Sequence, residues 1–148
     1  MKPWPWEGTV QDVFAAMLIR HDWEVESLAD TASKARGVDV LARRGERLLG
    51  AEVKGYPSTG YEDPARAHET KRSSPGGQAR TWFAKGVLAA LMLREKQPER
   101  ESLLVLPDTR RYRDLLDATT TGLEAAQVHV VLLREDCTYD CPTWNVDA

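Results

Sequence analysis

Several features that would tie a chain to a membrane, a disulfide scaffold or a zinc site are scarce or missing here. The 148 residues include only 2 cysteines. Cys137 and Cys141 stand near the end as Cys-x-x-x-Cys, without the further Cys or His neighbours that a zinc site needs, and read as reduced thiols. His21, His68 and His129 are scattered, and His129 falls in an apolar run where it reads as packing. No apolar run approaches membrane-spanning length, and Lys2 is followed by Pro, Trp and Glu instead of the apolar core of a signal peptide. A cytoplasmic protein without membrane attachment is expected. An excess of positive charge is missing too. Lys and Arg number 20 against 23 Asp and Glu, giving a net charge of -3 and a pI near 5.6. That balance argues against coating nucleic acid by bulk electrostatics, and leaves room for a local basic cluster.

What is present is a succession of helical and extended patterns. Trp4-Pro5-Trp6 suits an extended leader whose indoles cover apolar surface. From about Thr9, a candidate N-cap, to Arg20, the residues Val10, Val13, Phe14, Met17 and Leu18 recur at helical spacing and form one apolar stripe. Trp23 to Leu28 alternates apolar with polar, as a half-buried strand does, and leads into a loop from Ala29 to Arg36. The segments 37–42 and 48–54 read as two strands joined by a tight polar turn. Pro57 to Gly77 shows little apolar periodicity. A segment of that length is either disordered or a functional lid or DNA-contacting arm. Gln78 to Arg94 returns to a helix with a wide apolar face. Ser102 to Leu106 is a continuous apolar run suited to a buried central strand, stopped by Pro107. Arg111 to Ala118 and Leu123 to Gln127 read as helices, Val128 to Leu133 as a last strand, and the tail from Asp136 as irregular. The order α-β-β-β-α-β-α-β predicts an α/β fold with a mixed β-sheet flanked by helices. At 16.6 kDa the chain suits one domain over 1–148, with its core at about 7–135 and a tail at 136–148.

The chemistry concentrates in the paired strands. On a strand, alternate side chains share a face, so Glu52 and Lys54 point one way while Ala51 and Val53 point the other. If Asp39 on the neighbouring strand faces the same side, two carboxylates and an ammonium converge. Paired hard carboxylates there would hold magnesium or manganese, with the main-chain carbonyl of Val53 as a third oxygen. Lys54 would orient water or steady developing negative charge, with general-base duty a weaker role. A second Glu-x-Lys, Glu69-Thr70-Lys71, lies in a polar stretch without apolar alternation, and only the first has strand context. The plain alternative is a solvated cross-strand charged face with no chemistry.

Val38-Asp39 followed by Glu52-Val53-Lys54 resembles the PD-(D/E)xK nuclease superfamily, with Val38 where the motif's name has proline. The resemblance spans roughly residues 7 to 135. Lys54-Gly55-Tyr56-Pro57-Ser58, with Gln78-Ala79 opening the later helix, is most similar to restriction-endonuclease-like proteins of the Mrr type. The resemblance implies a restriction-endonuclease-like fold and a Mg2+-dependent endonuclease, with Mn2+ as a substitute, hydrolysing DNA phosphodiesters with metal-activated water. It implies an active-site role for Gln78 beside Asp39, Glu52 and Lys54. Many members add a first-helix glutamate. The aligned position here is Gln11, with Asp12 next and Glu7 one turn earlier, so the acid is replaced or displaced. Gln11 as an exposed surface amide is an equal alternative.

Lys71, Arg72 and Arg80, in a cluster with Arg66 and Lys85, are candidate phosphate contacts, or else part of a solvated loop and helix start. Cutting both strands of a duplex calls for two sites, so a homodimer or a subunit of a larger complex is expected. The competing function is a catalytically degenerate nuclease fold that binds DNA or a protein.

Overall fold

A computed structural model of the chain describes residues 4–29, 37–57 and 75–148. Helix α1 (Glu7–Arg20) leads into strands β1 (Glu24–Leu28), β2 (Val40–Arg44) and β3 (Arg47–Val53). Then come α2 (Pro75–Lys96), β4 (Glu101–Pro107), α3 (Arg110–Asp117), α4 (Thr120–Ala125), β5 (Val128–Leu133) and β6 (Tyr139–Asp140). The strands form one six-stranded sheet in chain order. β1, β2 and β3 are antiparallel neighbours, β3, β4 and β5 run parallel, and β6 returns antiparallel. Parallel neighbours need crossovers, and α2 and the α3–α4 pair supply them.

The sheet is buried on both sides. Against one face, Val10, Phe14, Met17 and Leu18 of α1 pack on Val40, Ala42, Leu49, Ala51, Val53, Leu103 and Val105. Against the other, Ala79, Phe83 and Ala90 of α2 pack on Leu104, Leu106, Val130 and Leu132. This explains the unbroken apolar run in β4: its odd residues serve one core and its even residues the other.

Several expectations shift in detail. Helix α1 starts at Glu7 with Trp6 as N-cap, so Thr9 lies inside the first turn instead of capping it. Helix α2 begins at Pro75, and Gln78 is therefore its fourth residue and not its first. The expected half-buried alternation in β1 is absent. It is an edge strand with a bulge between Val25 and Ser27 and mostly exposed side chains, and Trp23, buried, lies just before it. Residues after 135 are not merely irregular. They add β6, and Trp144 and Val146 are buried against α1. The Trp23 indole donates to the Val146 carbonyl at 2.9 Å, and the Trp144 indole donates to Glu101 at 3.0 Å. Glu101 is also gripped by the Arg47 guanidinium at 2.6 and 2.9 Å. Residues 58–74, with Arg66, Lys71, Arg72 and the second Glu-x-Lys, lie outside the described residues, as do 30–36.

Candidate functional site

The antiparallel register of β2 on β3 pairs Val40 with Ala51. Continued by one residue it sets Asp39 opposite Glu52, so both carboxylates leave the same face of the sheet. Asp39 is held there by its neighbour's backbone: the Val53 amide donates to Asp39 Oδ2 at 2.7 Å. On a strand the amide and carbonyl of one residue point to the same edge, so the Val53 carbonyl is directed toward the Asp39 side as well. The Val53 side chain is buried in the opposite core. Lys54 follows, its ammonium 3.5 Å from Glu52 Oε1, and both side chains are about one-fifth exposed.

The chain after β3 is pinned so that Lys54 cannot wander. The Lys54 amide donates to the Val105 carbonyl at 3.0 Å, and the Tyr56 amide to the Pro5 carbonyl at 3.1 Å. The buried Tyr112 hydroxyl of α3 donates to the Gly55 carbonyl at 2.7 Å, with the Tyr56 ring edge-on to Tyr112. Gly55 is glycine for a steric reason. A Cβ there would fall 2.5 Å from the Glu7 amide nitrogen and 2.7 Å from the Pro5 carbonyl oxygen. That close approach brings the first turn of α1 against the lysine-bearing segment.

Glu7 consequently joins the cluster. Burial raises its carboxyl above the usual range, Lys54 opposes that rise and Asp39 adds to it. Asp39 is raised by burial, against the Val53 hydrogen bond and Lys54. Glu52 is pushed up to about 7, first by burial and then by the negative charge of Asp39, with Glu7 a smaller contributor and Lys54 pulling the other way. Three carboxylates that disfavour one another's charge around one lysine form a site short of positive charge. Among the described residues no three His, Cys, Asp or Glu side chains are gathered tightly enough to hold a metal by themselves. Asp39, Glu52 and the Val53 carbonyl are the groups here that could serve a hard divalent ion, with water completing the shell that such ions commonly retain.

Gln11 is not an exposed amide, and its Oε1 is buried without a hydrogen-bond partner among the described residues. It is 4% exposed, and its Nε2 donates to the Ala29 carbonyl at 2.9 Å, while the Ala29 amide donates to the Asp39 carbonyl at 2.8 Å. It braces the chain that carries Asp39. The acid that α1 supplies is Glu7, one turn earlier. Gln78 lies half-buried in the first turn of α2, and Arg80 is exposed two residues on.

The fold is similar to that of a solved XisH family protein from Nostoc punctiforme, with a TM-score of 0.52 and 18% identity, covering 88% of this chain and 98% of that one. The architecture is restriction-endonuclease-like. The likeness is one of fold. No family model matches the chain, and no curated protein does. Tyr112 had no motif to announce it, and the segment that carries Gly55 said nothing of its steric role, since both roles arise only where α3 and α1 meet the end of β3. Glu7 was named as a position for a displaced first-helix acid, and an acid just after Pro5-Trp6 also suits the first turn of a helix.

Proposed function

We propose that the protein is a divalent-metal-dependent deoxyribonuclease of the PD-(D/E)xK kind, nearest the Mrr type. The observation that carries this reading is the convergence of Glu7, Asp39 and Glu52 around Lys54, from three separate elements, with Glu52 raised to about 7. Surface ion pairs do not produce such a rise. Asp39, Glu52 and the Val53 carbonyl would hold Mg2+ or Mn2+, and the bound ion supplies an activated water and neutralises charge on the scissile phosphate. Lys54 orients that water and stabilises negative charge as it develops. Glu52, raised to about 7, holds its proton longer than an ordinary carboxyl, and a bound cation would favour its ionised form. Glu7 adds a further acceptor at the rim. Gln78, in the first turn of α2, is assigned to the substrate side, with Arg80 and the basic Lys71 and Arg72 as phosphate contacts.

The test is cutting of plasmid, linear and branched DNA in Mg2+, Mn2+ or EDTA by the parent, Asp39→Asn and Lys54→Ala. Metal-dependent cutting by the parent that both variants lose supports the reading. DNA binding that survives in both variants, with no cutting by the parent under any metal, would sink it. The second reading, a degenerate fold that binds DNA or protein without cutting, is favoured by the net charge of -3 and by the lack of a tight three-side-chain ligand group among the described residues.

A further inference from the structure

Strand β5 is paired along its whole length on one side and only at its end on the other. On the inner side β4 pairs with it from Val128 to Leu133, and the Leu133 carbonyl accepts from the Asp108 amide at 2.9 Å. On the outer side β6 pairs with Leu132 and Leu133 alone, and the Arg134 amide donates to the Thr138 carbonyl at 2.8 Å. Main-chain groups alternate in direction along a strand, so those of Leu132, Val130 and Val128 point outward with those of Arg134. Leu132 meets Asp140 there. Continued by two residues, the register puts Pro142 opposite Val130, and a proline has no N–H to give. The chain turns away instead: Thr143 Oγ1 lies 2.8 Å from His129 Nδ1, and Trp144 is buried against Phe14 of α1. Among the described residues no strand covers the outer edge at Val128 and Val130.

That edge lies in a groove of about 980 Å³. Leu116, Leu123 and Val130 give the groove an apolar wall, and its charged side chains are Arg113, Asp117, Glu124 and Asp140. Arg113 is committed to Asp108 and Asp140, each at 2.6 Å. Asp117 and Glu124 are exposed and form no ion pair among the described residues. We propose that the groove takes an extended segment of a partner protein with Lys or Arg at alternate positions, added to the sheet beside β5. Val128 and Val130 offer such a strand main-chain donors and acceptors, which a docked helix has no free groups to use. Alternate side chains of the added strand enter the groove. There the aliphatic stem of a lysine or arginine lies on Leu116 and Leu123 while its charge reaches Asp117 and Glu124. An acidic segment, or a nucleic acid, would meet two unmatched carboxylates. Glu7, Asp39, Glu52 and Lys54 are all outside the groove, so the proposal does not rest on the nuclease reading.

The test uses the full chain and a labelled hexapeptide that alternates threonine with lysine, beside its threonine–glutamate and backbone N-methylated counterparts. With the lysine peptide, amide hydrogen exchange followed by NMR should slow at least about tenfold at Val128 and Val130. Asp117→Lys combined with Glu124→Lys should weaken that peptide's binding, read by fluorescence anisotropy, at least about tenfold, with the melting temperature near the parent's because both positions are exposed. Absence of binding at millimolar peptide overturns the proposal. So does equal binding of the glutamate or the N-methylated peptide, protection that spares Val128 and Val130, or binding indifferent to the two charge reversals.

Discussion

The Val53 amide donates to Asp39 Oδ2 at 2.7 Å, so one hydrogen bond both fixes a candidate ligand and aims the adjacent carbonyl toward it. Asp39 therefore has a structural and a chemical duty, and substitutions separate them. Asp39→Asn keeps an oxygen acceptor for the amide and loses the charge, so thermal stability should stay near the parent's while Mn2+ affinity by calorimetry falls at least about tenfold. Asp39→Ala leaves a half-buried amide unpaired and should also cost roughly 1–3 kcal/mol in urea denaturation.

Glu52 makes stability depend on pH in a particular direction. Its carboxyl is raised from 4.5 to about 7 on folding, so the folded state binds a proton that the unfolded chain has released. Stability from this group is full below the unfolded value and is lost as pH rises through about 7. Glu52→Gln should thus be more stable than the parent at pH 8 without metal, by about 3 kcal/mol, since the raised value already includes the attraction to Lys54, and no more stable near pH 4. Added Mg2+ should raise the parent's melting temperature at pH 8 and leave that of Glu52→Gln nearly unchanged.

Gly55 carries a steric demand from two backbones. Gly55→Ala would press a methyl against the Glu7 amide and the Pro5 carbonyl, neither of which can rotate away, and should cost about 1–3 kcal/mol. Glu7→Gln, which leaves that packing intact, should melt at or above the parent's temperature at neutral pH, because it removes a buried charge that Asp39 opposes. Comparison of the two by calorimetry divides the packing of α1 from its charge.

Trp144 makes the C-terminal tail part of the core. It is 5% exposed, lies against Phe14 and Tyr139, and donates to Glu101. Trp144→Ala should destabilise by about 3–5 kcal/mol in denaturant unfolding, the range for a large buried aromatic. A tail that merely trails would give no measurable change.

Where local pattern and tertiary demand agreed, the elements could be read from the residues. Val128 to Leu133 is the strand expected, because its apolar run is short and bounded. Ser102 to Leu106 is the buried central strand, because only a strand covered on both faces tolerates so continuous a run. Trp23 and Trp144 were less legible. Their burial comes from residues more than a hundred positions apart, Trp23 with Val146 for one, and no local window holds that information.

The same division runs through the site. The sequence by itself determined that Glu52 and Lys54 share a face and that Ala51 and Val53 turn into the core, since strand alternation is a property of the backbone alone. Only the tertiary structure showed that Glu7 of the first helix comes up to them. It is brought there by the start of α1 closing on Gly55, where a missing Cβ lets two segments meet.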